Sequence, residues 1–144
     1  MIYTEMTIKA MKIAYEAHLG QLDYNDVPYI FHPYHLAEQM DDEVSCTVAL
    51  LHDVVEDTPI TLSDLEQIFP AQVVEIVRLL THDEGVDYFD YIREIKKNPI
   101  ATKVKLEDLK HNSDESRSIG SNLTQDQLLY WKTKYAKAKE ILLR

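Results

Sequence analysis

With a single cysteine, Cys46, the chain has no internal disulfide to close. Cys46 lies among Val44, Val48 and Ala49 and reads as a small buried hydrophobe rather than a redox group. Glycine and proline are scarce, 3 and 5 in 144 residues, which leaves little material for the many tight turns of a sandwich or barrel. No stretch approaches the roughly 20 apolar residues of a membrane span. The start, Met1-Ile2-Tyr3-Thr4-Glu5-Met6, lacks the basic and then apolar character of a secretory leader. A cytoplasmic location without a membrane partner is the expectation. Positive charge is the remaining shortage. Lys and Arg number 15 against 25 Asp and Glu, a net charge of −10, and no basic run interrupts that field, so nucleic acid is disfavoured as a partner.

What is present suits one globular unit spanning 1–144: 45% hydrophobic and 28% charged residues, in a chain long enough for one core and too short for two. Met6, Ala10, Met11, Ile13, Ala14, Ala17 and His18 recur at helical spacing from Thr4 to Leu19, and Gly20 is a plausible stop. A loop over 21–31 delivers His32 to a short helix with Pro33 at its first position. Asp41, Asp42 and Glu43 open the next helix, whose buried stripe is Val44, Val48, Leu51 and Val55. Thr61 with Asp64 resembles a capping box before a short helix ended by Pro70. Val73 to Leu80 is apolar almost all round and reads as a central helix, with strand as the alternative because the run is β-branched. Helices follow over Tyr88–Lys97, from Asn98-Pro99 through Asp108, and from Thr124 to Arg144, where Trp131 and Tyr135 read as core. The expected fold is all-α, a compact bundle of about eight helices.

The segment Leu50-Leu51-His52-Asp53-Val54-Val55-Glu56-Asp57-Thr58 sets four ionisable groups in an otherwise apolar helix. On one continuous helix His52 and Glu56 share a face, as do Asp53 and Asp57. Three carboxylates so close repel one another, and burial near a core would be costly; a divalent cation removes both objections. A solvated acidic helix end is the alternative. An acidic chain acting on phosphates needs some such device to offset its own field.

His32 and Asp108 mean little alone. In order, however, Pro28-Tyr29-Ile30-Phe31-His32-Pro33, then Ala49 to Thr58, then Val104-Lys105-Leu106-Glu107-Asp108 with His111-Asn112 resemble the HD superfamily of metal-dependent phosphohydrolases. Within it the likeness is strongest to the hydrolase domain of RelA/SpoT-type alarmone enzymes and their small single-domain relatives, from about His18 to Asn112. The resemblance implies an HD-domain-like fold and a metal held by His32, His52, Asp53 and Asp108. Two imidazoles and two carboxylates suit Mn²⁺ and related divalent ions. It further implies that Glu56 and Asp57 position or deprotonate the nucleophile, and that Asn112 lies near the substrate. Lys105 would neutralise phosphate charge, with a solvated helix lysine as the alternative.

The departures bear on specificity. After His18-Leu19-Gly20-Gln21, where the alarmone hydrolases carry an Arg that packs on guanine, this chain has Leu22-Asp23-Tyr24, so a cation is replaced by an anion. The residue after Asp108 is Leu109 rather than Arg, and Ser113-Asp114-Glu115 breaks the usual pattern. Tyr24 or Tyr88 could stack on a base in compensation. His18 reads as a core residue or a support to a metal ligand, His35 as exposed, His82, Tyr88 and Tyr91 as loop and helix residues, and His111 as open between roles.

The expected activity is metal-dependent hydrolysis of a nucleotide phosphate or pyrophosphate ester, with the 3′-pyrophosphate of a (p)ppGpp-like alarmone as leading substrate. No synthetase domain follows in the sequence, so degradation alone is expected. The alternatives are a phosphomonoesterase acting on another nucleotide and a non-catalytic nucleotide-binding regulatory domain. The complete set His32, His52, Glu56, Asp57 and Asp108 argues against the latter. The sequence carries no signal of oligomeric state.

Overall fold

The computed structural model describes all 144 residues, and apart from one isolated bridge its regular structure is helical. In chain order the helices are α1 (Glu5–Ala17), α2 (Phe31–Glu38), α3 (Glu43–Leu51), α4 (Val54–Asp57), α5 (Leu62–Glu66), α6 (Ala71–Leu80), α7 (Tyr88–Lys96), α8 (Pro99–Asn112) and α9 (Gln125–Leu143). A 3-10 turn, Glu115–Ser118, precedes the last of them. The all-α class expected from composition holds. The ninth segment arises because the helix expected to run from Glu43 through Thr58 breaks at His52-Asp53 into α3 and α4.

The cause of the break is local. The His52 ring nitrogen Nδ1 lies 2.6 Å from the Ala49 carbonyl, the acceptor a continuing helix would offer to the Asp53 N–H. Asp53 then takes φ −106°, ψ 0°, in the sparsely populated bridge region. Glu56 and Asp57 thus sit in a separate turn rather than on the face of α3.

Burial places α3, not α6, at the centre. Every residue from Ser45 to Leu51 is buried, and α3 packs against α1, α2, α6 and α8. α6 is helical rather than strand, but it is one-sided: Val73, Val74, Ile76, Val77 and Leu80 face inward, while Glu75 and Arg78 pair on the solvent side. These two charges, one turn apart, give the apolar run an outside. α2 begins at Phe31, two residues before Pro33, so the missing proline N–H still falls among the unpaired donors of the first turn.

Asn98 caps α8 by accepting from the N–H groups of Ile100 and Ala101, both at 3.0 Å, with Pro99 next. The Thr61–Asp64 and Thr124–Gln127 boxes form reciprocally. In α9 the buried contacts are Ala138, Ile141 and Leu142; Trp131 is only partly buried, against the Tyr24 ring at 5.7 Å, because the loop it meets is not core. Cys46 is buried and free. No helix is long and apolar enough to cross a membrane.

Candidate metal centre and nucleotide cavity

Three elements converge on one buried polar cluster. α2 brings His32, the α3–α4 break brings His52 and Asp53, and α8 brings Asp108. His32, His52 and Asp108 are 2–4% exposed, in an interior built mainly of Leu, Val, Ile and Ala. The ligand-type atoms of His32, His52 and Asp53 lie within 4.8 Å of one another. Asp108 Oδ1 is 2.8 Å from His32 Nε2 and 3.6 Å from His52 Nε2. His52 Nε2 is also 2.9 Å from Asp53 Oδ2, yet it makes no aligned hydrogen bond. A buried imidazole nitrogen surrounded by carboxylate oxygens but bonded to none is costly unless a further group completes it. This donor set, two nitrogens and two carboxylates, fits a divalent cation.

The electrostatics agree. Burial opposes ionisation of Asp53, but His52 beside it holds the carboxyl down at about 2. Burial likewise works against Asp108, and Lys105 with the two imidazoles outweighs it, holding that carboxyl well below its ordinary value. His52 is desolvated, yet Asp53 and Asp108 push its pKa well above that of a free imidazole. Two anions that stay charged without water around them form a ready cation site.

Lys105 is not a solvated helix lysine. Its side chain is 12% exposed, its Nζ donates to Asp108 Oδ2 at 2.8 Å, and it lies 5.2 Å over the Tyr91 ring. Asn112, one turn beyond Asp108, donates Nδ2 to Asp108 Oδ1 at 3.1 Å. Glu56 and Asp57 sit at the open rim. Partial burial raises both carboxyl pKa values, and the charge of Asp53 raises them further. Glu56 Oε1 accepts from the backbone N–H of His82 at 2.6 Å, and the His82 ring stacks on Tyr91 at 4.7 Å.

Three supporting residues went unassigned in the sequence reading. Tyr29, three residues before His32 in the motif that carries the resemblance but without a role of its own there, donates its hydroxyl to Asp53 Oδ2 at 2.5 Å. Burial and Asp53 push its pKa far up, so the proton stays. His111, left open, places Nδ1 2.7 Å from His32 Nδ1, and its ring stacks on that of the exposed His35 at 4.1 Å. Burial and the charge of Arg117 lower the His111 pKa to about 3, so it is neutral near pH 7. Arg117, in the stretch between the last two expected helices, meets Asp23, Tyr24 and Asn112.

A cavity of about 410 Å³ adjoins the cluster through Asn112 and is bounded by Tyr24, Leu128 and Trp131. Asp23 lines not this cavity but a neighbouring one, with Arg117, His32 and His111. One carboxylate oxygen of Asp23 accepts from the N–H groups of Asn25 (2.7 Å) and Val27 (3.1 Å), closing the loop over which Leu22 and Pro28 form a single bridge. His18 is buried, with Nδ1 2.8 Å from Gln21 Oε1, and Gly20 follows with φ +87°, a conformation side-chain-bearing residues rarely adopt.

Residues 10–114 match the protein family described as HD domain. The bifunctional (p)ppGpp synthase/hydrolase SpoT of Escherichia coli is 42% identical over 89 residues, covering 59% of this chain and 12% of the relative. The guanosine-3′,5′-bis(diphosphate) 3′-pyrophosphohydrolase MESH1 of Danio rerio is 36% identical over 91 residues, 58% of this chain and 51% of that one. The corresponding enzyme of Spiroplasma citri is 32% identical over 133 residues, 77% of this chain and 17% of the relative. The chain therefore spans at most about half the length of these curated relatives. Among solved structures, one described as a metazoan ortholog of SpoT that hydrolyzes ppGpp superposes with a TM-score of 0.80 at 25% identity, over 100% of this chain and 88% of that one.

Proposed function

The chain belongs to the HD domain family, and from that premise we propose that it is a divalent-metal-dependent phosphohydrolase whose substrate is a nucleotide, with guanosine 3′,5′-bis(diphosphate) as the leading candidate. The observation that carries the proposal is the buried meeting of His32, His52, Asp53 and Asp108 around an unpaired His52 nitrogen. Those four would hold the ion, and Mn²⁺ suits two imidazoles and two carboxylates. When bound, such a cation lowers the pKa of a coordinated water and polarises a phosphoryl oxygen.

The chain's own residues divide the remaining work. For His32 to offer Nε2 as a ligand its proton must sit on Nδ1, and neutral His111 stands at 2.7 Å to accept it. Tyr29 fixes one oxygen of Asp53. Glu56 and Asp57, at the rim, take the proton of the attacking water, and their raised pKa values bring them nearer the working pH of a general base. Lys105 and Asn112 face the developing phosphate charge, and Tyr24 with Trp131 forms the wall on which a base would lie. The HD relatives whose names specify a (p)ppGpp hydrolase support the choice of substrate. A cytoplasmic site of action, where soluble nucleotides are found, belongs to the same proposal.

One observation favours a second substrate reading, a phosphomonoesterase acting on another nucleotide: Asp23 stands where a base-packing cation would, and its carboxylate is engaged by the N–H groups of Asn25 and Val27 and by Arg117. The test is Mn²⁺-dependent release of pyrophosphate from guanosine 3′,5′-bis(diphosphate), run beside phosphate release from nucleoside mono-, di- and triphosphates. Pyrophosphate release that disappears on chelation is the expected result. Phosphate release from a monophosphate alone selects the second reading, and no release from any nucleotide with metal present overturns both.

A further inference from the structure

The guanidinium of Arg117 ties the end of α8 to the Asp23-Tyr24 loop beside the nucleotide cavity. Nη1 donates to the His111 carbonyl at 2.8 Å and to the Asn112 side-chain oxygen at 3.3 Å. Nη2 lies 3.6 Å from Asp23 Oδ2, and the guanidinium carbon sits 5.8 Å from the centre of the Tyr24 ring. The Arg117 and Asp23 side chains are only 15% and 11% exposed, so the pair is largely withdrawn from water. The backbone repeats the link: Asn25, from the Asp23 loop, donates Nδ2 to the carbonyls of Arg117 (3.0 Å) and Ile119 (2.7 Å).

We propose that Arg117 is the positioning residue of the nucleotide cavity: it neutralises Asp23 and fixes Asn112 and Tyr24, which come from different elements and line the same cavity. The proposal rests on reading that cavity as a nucleotide site. Arginine only donates, so the Asn112 amide oxygen must face Arg117 and its NH₂ must face Asp108 Oδ1. One amide hydrogen is thereby directed at the carboxylate, and the second is left for substrate. Asp23 is therefore half of an ion pair rather than a vacant place for a cation. An arginine introduced there meets Arg117 instead of a base, with two like charges in a poorly hydrated cleft.

The experiment uses the full chain loaded with Mn²⁺, in wild-type, Arg117→Ala, Arg117→Lys, Asp23→Asn and Asp23→Arg forms. Binding of GDP is read by calorimetry and by the emission of Trp131, the one tryptophan, which packs on Tyr24. Arg117→Ala should weaken GDP about tenfold, ~1.4 kcal/mol. It should also raise KM for guanosine 3′,5′-bis(diphosphate) by a similar factor, with a smaller change in kcat. Arg117→Lys, which keeps the charge but not the fork of donors, should recover only part of the loss. Asp23→Arg should be worse than Asp23→Asn. Tighter GDP binding in Asp23→Arg, or unchanged binding in Arg117→Ala, overturns the proposal. If the wild type neither binds GDP nor hydrolyses any nucleotide, it is the functional reading that falls. Trp131 emission then still decides the positioning: a shift shared by Arg117→Ala and Asp23→Arg upholds it, and unaltered spectra in both overturn it.

Discussion

At the scale of single residues, the rim carboxylates carry a trade between stability and chemistry. Folding raises the pKa of Glu56 and Asp57, first through partial burial and also through Asp53, so the folded state holds their protons more readily than the unfolded chain does. Their contribution to stability is full below the unfolded carboxylate range and is lost as pH rises through the raised folded values. Above those raised values both are charged and weaken the metal-free fold. Glu56→Gln and Asp57→Asn, which keep an acceptor oxygen, should therefore raise the Tm of the metal-free protein at pH 7, with the gain vanishing as pH falls below the carboxylate range; calorimetry across pH checks this. The same variants should lower turnover by about 10²–10⁴ while Mn²⁺ remains bound, as the loss of a general base requires. Equal turnover in both would leave the pair a structural role only. His52, Asp53, Glu56 and Asp57 were legible because they interrupt an apolar run, and His32 and Asp108 through the order of the motifs. Arg117 was not, because its loop has no periodicity and the groups it meets near Asp23 stand more than 90 residues away in the chain.

At the scale of elements, caps were the most readable features, since a cap is written within four residues. Asn98-Pro99 and the Thr61 and Thr124 boxes all form. The first also sets the register of α8, which carries Lys105, Asp108, His111 and Asn112. Asn98→Ala should cost about 1 kcal/mol, a fall in Tm of roughly 2–4 °C for a chain near this size, with kcat well below Tm changed less than the stability. A large loss of kcat at low temperature would show that the cap also holds the site. The break between α3 and α4 was not readable. It follows from a side chain competing with the backbone for the Ala49 carbonyl, a choice that helical periodicity does not encode. The same limit explains α6, whose exposed edge depends on the Glu75–Arg78 pair rather than on the run of apolar residues around it.

At the scale of the whole molecule, a chain of net charge −10 would have to bind the proposed anionic substrate against its own field. Raising ionic strength from about 0.01 M to about 0.15 M shortens the screening length from about 30 Å to about 8 Å. The value of kcat/KM for the nucleotide should accordingly rise over that range in stopped-flow or steady-state assays; a fall would mean that Lys105 and the bound ion dominate the approach. Fold class was legible at this scale from the scarcity of glycine and proline, whereas the cavity was not, because Tyr24, Asn112 and Trp131 meet only after three separate segments pack. On the function proposed above, one divalent ion is held by His32, His52, Asp53 and Asp108. The most direct measurement is a titration of the metal-free protein with Mn²⁺ followed by electron paramagnetic resonance, comparing wild type with Asp53→Ala. One tight site is expected per wild-type chain and none in the folded variant; equal tight binding in both, or none in the wild type, would show that these four side chains do not hold the ion.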